Sequence, residues 1–103
     1  MVLQMLIGEA LNAEALTVVQ AVFEDLWPGL LQEPGIYTAE LVTEHGGSML
    51  ILLIFWHSRE DACSFQGTKR RREITGLLCR YLVGDPVVKL FKVAERPKEK
   101  AAF

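Results

Sequence analysis

The chain is poor in the residues that build metal or disulfide frameworks, with two cysteines and two histidines among 103 residues. Cys63 and Cys79 have no metal-ligand spacing, and two thiols do not make a disulfide scaffold. Both fall in stretches of helical pattern and are expected to be free, buried or half-buried thiols of a reducing cytoplasm. Charge of one sign is also missing, since 11 Lys+Arg face 13 Asp+Glu for a net charge of −2. No bulk field draws such a chain to nucleic acid or to an anionic membrane. The N-terminal stretch has no basic segment, and Gln4 and Glu9 interrupt its apolar residues, so a signal peptide is not expected there. No apolar run approaches the roughly 20 residues that span a bilayer. No Ser/His/Asp set, metal-ligand cluster, glycine-rich phosphate loop or paired-carboxylate motif stands out.

Apolar residues are plentiful, at 50% of the chain. The strongest pattern is Met49-Leu50-Ile51-Leu52-Leu53-Ile54-Phe55-Trp56, between His45-Gly46-Gly47-Ser48 and His57-Ser58. A strand with one wet face alternates apolar and polar side chains. This run does not alternate, so both of its faces need cover. In one small domain, helices cover one face of a sheet. The simplest cover for the other is a second copy of the chain.

The remaining pattern places the elements around that strand. Val2 to Glu9 reads as a first strand. Asn12 is a helix N-cap, flanked by Leu11 and Leu16 at the spacing of a hydrophobic staple. Leu16, Val19, Val22, Phe23, Leu26 and Trp27 then recur at helical spacing, and Pro28-Gly29 ends or bends the helix. Pro34-Gly35 is a turn before a second strand, Ile36 to Thr43, whose mixed pattern suits a sheet edge. The His45–Ser48 segment makes a hairpin to the apolar strand. Ser58 and Asp61 have the spacing of a capping box for a short helix over Arg59–Gln66, punctuated by Gly67-Thr68. A further helical stretch carries Ile74, Leu77, Leu78, Tyr81 and Leu82 on one face. Gly84-Asp85-Pro86 turns the chain into a last strand, Val87 to Ala94. One domain over 1–94 follows, with a charged tail over 95–103 that is expected to be mobile. The order βαββαβ is the ferredoxin-like α+β plan, an antiparallel sheet with helices on one face.

Several motifs then coincide: Pro34-Gly35-Ile36-Tyr37 leading into the second strand, Phe55-Trp56-His57-Ser58 closing the third, and Arg59-Glu60-Asp61-Ala62 with Phe65 one turn on. Tyr81-Leu82-Val83-Gly84-Asp85-Pro86-Val87 leads into the last strand. Over residues 2–94 this ensemble resembles the antibiotic biosynthesis monooxygenase-like family of the dimeric α/β barrel superfamily. The resemblance implies a homodimer joined through its sheet faces and a pocket between helices and sheet in each protomer. It also implies a function among cofactor-free oxygenases of aromatic substrates, haem-degrading oxygenases and related proteins without assigned activity. Fold alone does not choose among these.

The resemblance makes Trp56 a pocket wall, with Tyr37, Phe65 and Tyr81 as aromatic companions; each is equally well explained as packing. His57 is the candidate general base, as an imidazole suits that role, but a regular strand points it away from the side that Trp56 faces. Haem degradation is disfavoured, because family members of that type use a histidine from the second helical region and an asparagine on the first strand. Here no histidine lies between Ser58 and Leu82, and the first strand offers only Gln4. Lys69-Arg70-Arg71-Arg72 reads first as a solvated helix face, and secondly as cations at a pocket mouth for a carboxylate or enolate. The sequence therefore points to a cytoplasmic homodimer needing no cofactor or metal, which binds a small apolar or aromatic ligand. It is either an oxygenase of that ligand or a non-catalytic binding or structural protein.

Overall fold

The computed structural model describes residues 1–94, so the expectation of a mobile tail over 95–103 lies outside the described residues. The elements follow in the order β1 (Val2–Glu9), α1 (Ala13–Leu30), β2 (Ile36–Thr43), β3 (Met49–Trp56), α2 (Arg59–Gln66), α3 (Lys69–Tyr81) and β4 (Val87–Lys92). The strands form one antiparallel sheet ordered β2-β3-β1-β4. This is the ferredoxin-like arrangement, with its second helical unit broken in two at Gly67-Thr68. None of the described helices is long and apolar enough to cross a membrane.

Local chemistry sets the boundaries. The Asn12 side chain accepts from Ala15 N at 2.8 Å, Ser58 Oγ from Asp61 N at 3.2 Å and Thr68 Oγ1 from Arg71 N at 3.2 Å. Each satisfies a backbone donor that a helix start would leave unpaired. Pro28 does not end α1, which continues to Leu30. The carbonyl that proline leaves unpaired belongs to exposed Glu24, where water reaches it, and the final turn seats fully buried Leu30 in the core. The last strand stops at Lys92, two residues short of the expected Ala94.

The inner face of the sheet carries Leu50, Leu52, Ile54 and Trp56 of β3 and Leu6 of β1, packed against Val19, Phe23 and Leu30 of α1, Phe65 of α2, and Ile74 and Leu78 of α3. Each such side chain contributes about 1.5–3 kcal/mol through removal from water. Arg70 ties the helices together, its Nε donating to Glu33 just after α1 at 2.8 Å. The outer face has no helix on it. There Leu3, Met5 and Ile7 lie half-buried beside Ile51, Leu53 and Phe55, while Val42, Met49, Val87 and Phe91 are exposed. The apolar run is thus covered on one side only within the protomer.

Both cysteines are exposed, contrary to the buried or half-buried thiols expected from the usual burial of free cysteines. Cys63 follows buried Ala62, and Cys79 follows buried Leu78, so each stands on the wet side of an amphipathic helix.

Candidate functional site

The order of the strands brings one polar pair into the core. Residues 4, 6 and 8 of β1 share the inner face, so Gln4 has the same parity as buried Leu6 and is itself wholly buried. Trp56, at the end of β3, is also wholly buried. Its indole Nε1 donates to Gln4 Oε1 at 3.1 Å, and its ring meets Phe65 with centroids 5.0 Å apart at a 44° tilt. The Gln4 amide nitrogen, Nε2, is buried with no hydrogen-bond partner. An unpaired buried donor of this kind costs about 1–3 kcal/mol.

The open space lies beside this cluster. A cleft of about 560 Å³ runs between α3 and β4, lined by Gln66, Arg71, Arg72, Thr75, Gly76 and Val88. It exists because no helix covers the inner side of β4, where Val88 and Leu90 stay exposed. Gln66 follows Phe65 in α2. Across the sheet Leu90 pairs with Gln4 and Val88 with Leu6, so the cleft adjoins the strand that carries the buried amide.

Arg71 dominates the chemistry of this cleft. It shares a helical stripe with buried Ile74 and Leu78, which draws its side chain inward. Its Nη1 donates to Thr75 Oγ1, whereas its Nε is buried without a partner. Burial pulls its pKa below the ordinary guanidinium value, opposed by the charge interaction with Cys79, and leaves it cationic at neutral pH. Arg72 donates to the Gly67 carbonyl at 3.1 Å. Among the described residues, Lys69 pairs with Glu73 and Arg70 with Glu33, but neither Arg71 nor Arg72 has a carboxylate partner. A half-buried guanidinium without a carboxylate partner, lining an open cleft beside Val88, fits an organic anion or a polarised oxygen.

The aromatic residues singled out from the sequence divide into three places. Trp56 and Phe65 are in contact. Tyr37 occupies a β-bulge in β2 and is 60% exposed, with its ring edge-on to His57 at 5.7 Å. The bulge turns Tyr37 away from Trp56, and His57 sits beyond the strand end with its backbone N–H on the Gly35 carbonyl. Tyr81 packs at the opposite end of β1, where its carbonyl accepts from Leu11 N, while Trp56 pairs with Val2. His57, Tyr37 and Tyr81 therefore do not join Trp56 and Phe65 in one pocket. Sequence reasoning passed over Gln4 and left Arg71 undistinguished among four cations. The available signals were the even parity of Gln4 with Leu6 and the i, i+3, i+7 relation of Arg71 to Ile74 and Leu78.

No family model matches the sequence, and no curated protein is recognisably similar to it in sequence. Solved structures are similar in fold. A proposed antibiotic biosynthesis monooxygenase from Deinococcus radiodurans superposes with a TM-score of 0.80 at 13% identity, over 95% of this chain and 97% of the other. Another from Nitrosomonas europaea gives 0.79 at 9% identity, over 92% and 100%. A mutant of SnoaB, a cofactor-independent oxygenase from Streptomyces nogalater, gives 0.77 at 12% identity, over 94% and 96%. At such identities the likeness establishes the fold that the sequence motifs implied.

Proposed function

We propose that this chain is a homodimeric, cofactor-independent monooxygenase of the antibiotic biosynthesis monooxygenase type, which takes a small aromatic metabolite in the cleft between α3 and β4. The observation that carries this reading is Arg71, a half-buried cation that lines an open cleft and has no carboxylate partner among the described residues. The shared fold with a protein described as a cofactor-independent oxygenase supports it. The apolar outer sheet face supports a homodimer, because such a surface is costly to leave in water. The cytoplasm is the compartment in which two unbridged thiols are at home.

An anthrone or polycyclic phenol fits the cleft's chemistry. Its oxygen lies against Arg71, which favours the ionised enolate and lets solvent take the proton. The enolate carbon then bonds to dioxygen, and the resulting hydroperoxide loses water. One oxygen atom stays as a carbonyl and the other leaves in water. The substrate methylene gives up both hydrogens and all the electrons, so no outside reductant takes part. His57 and Tyr37 lie outside the cleft and take no part in this scheme.

The cleft lining holds no group that accepts a proton readily at neutral pH. That observation favours the second reading, a dimeric module that binds an aromatic ligand without transforming it. Oxygen uptake with 1,8-dihydroxyanthrone separates the two. The expected result is quinone formation above the uncatalysed rate, reduced at least about tenfold in Arg71→Gln by loss of the charge-assisted contact. Saturable binding without accelerated uptake supports the binding module, and neither binding nor uptake overturns both.

A further inference from the structure

The cations that open α3 are divided between its two flanks. Successive residues of a helix lie about 100° apart around its axis. Buried Ile74 and Leu78 mark the side of α3 that faces the core. Arg71, Arg72, Thr75 and Gly76 occupy one flank of that stripe and line the cleft towards β4. Arg70 occupies the other flank, where α3 packs on α1. Its Nε donates to Glu33 Oε1 at 2.8 Å, and the two side chains are only 33% and 18% exposed. Its guanidinium also lies against Gly29 in the last turn of α1, where a Cβ would meet Nη1 at 2.6 Å. Glu33 is fixed in turn. Its N–H donates to the carbonyl of buried Leu30 at 3.1 Å, and its carbonyl accepts from Ile36 N at 3.2 Å, where β2 begins.

We propose that Glu33 is a positioning residue for the ligand site: through Arg70 it holds α3 against α1, which keeps the α3–β4 cleft open and sets Arg71 on its wall. The assignment rests on the ligand site proposed above and adds a residue that lies outside it. Apolar surface drives the opposite movement. Val88 and Leu90 of β4 stand exposed across the cleft, and closing α3 over them would remove them from water. The facing flank of α3 offers little steric resistance, because Gly76 has open space around it and Thr75 is small. The opposing tie is a charge-assisted bond sheltered from solvent, stronger than an exposed pair such as Lys69–Glu73. The four consecutive cations thereby take separate roles. Lys69 pairs with Glu73 on the wet side, Arg70 anchors the helix, and Arg71 and Arg72 remain for the ligand. A ligand binds only the open population, so loss of the anchor lowers apparent affinity in proportion to the fraction that stays open.

Glu33→Ala, Glu33→Gln and the charge-exchanged pair E33R/R70E test the anchor by two measurements. One is titration with 1,8-dihydroxyanthraquinone, the quinone product of the scheme above. The other is amide hydrogen exchange over Val87–Lys92, which needs no ligand. Glu33→Ala is expected to bind about tenfold more weakly, the equivalent of one charged hydrogen bond. Its β4 amides are expected to exchange more slowly, because α3 closes over them. Glu33→Gln keeps an acceptor for Arg70 Nε and falls between, and E33R/R70E recovers wild-type binding and exchange. Unchanged exchange at β4 in Glu33→Ala overturns the proposal. Faster exchange throughout β1 and β3, without rescue in the exchanged pair, marks a general loss of stability and also overturns it. A wild type that does not bind the quinone contradicts the ligand site alone, and β4 exchange then decides whether Glu33 holds the cleft open.

Discussion

The Trp56 indole and the Gln4 side chain meet at 3.1 Å with neither reaching solvent, which joins the end of β3 to the neighbouring strand β1 by a buried polar contact. Low surrounding polarity makes such a bond strong and its loss expensive. Trp56→Phe removes the donor, strands the whole Gln4 amide and leaves space beside Phe65. The expected loss is about 2–4 kcal/mol, combining an unpaired buried group with a small cavity. Urea unfolding measures it. Gln4→Leu is expected to cost less, because it removes the unpartnered Nε2 while orphaning only the indole N–H.

Two glycines respond in opposite directions to alanine. Gly35 has φ +83°, and a Cβ there would run into the Asp61 carboxylate, which also accepts from the Ser58 hydroxyl at 2.9 Å. Gly35→Ala is expected to destabilise by more than about 1 kcal/mol. Gly76 lies within α3 and faces open space, so Gly76→Ala raises stability by about 0.5–1 kcal/mol. Thermal unfolding of the two variants checks the signs. Because Gly76 borders the cleft, the stabilised variant is also expected to bind aromatic ligand less well.

The α2 cap offers a local test. Ser58→Ala removes the acceptor for Asp61 N and costs about 1 kcal/mol. Amide exchange is expected to quicken most in the first turn of α2, with β1 protected as before.

Cys79 is exposed; desolvation pushes its thiol up, and Asp85, which accepts from Sγ at 3.6 Å, adds to the shift, opposed by the Arg71 charge. A raised thiol pKa delays thiolate formation as pH rises. Alkylation at Cys79 is therefore expected to be slow at pH 8 and to accelerate in Asp85→Asn, where the neighbouring negative charge is gone. Peptide-resolved iodoacetamide kinetics give the rate at each cysteine.

Much of the fold is legible because the strongest signals are local. The β3 run, the glycines of the hairpin and the Asn12 and Ser58 caps each specify a boundary with few competing solutions, and the structure places these elements where those residues put them. Pro28 was less decisive, since tertiary burial of Leu30 outweighs the missing backbone bond. The site was harder to see. Whether Tyr37 meets Trp56 depends on a single extra residue in β2, and whether Arg71 differs from Arg70 and Arg72 depends on how α3 rolls against β4. Composition carries neither fact, and spacing carries only the second, through the i, i+3, i+7 relation of Arg71 to Ile74 and Leu78, whereas the parity of Gln4 with Leu6 is legible in the sequence itself.

The most direct measurement is a fluorescence titration of 1,8-dihydroxyanthraquinone, the stable product of the proposed reaction, into the wild type and Arg71→Gln. The expected result is saturable binding at one site per protomer, weakened at least about tenfold when the guanidinium is removed. Absence of binding to the wild type, or equal affinity in the two proteins, would contradict an aromatic-ligand site at the α3–β4 cleft.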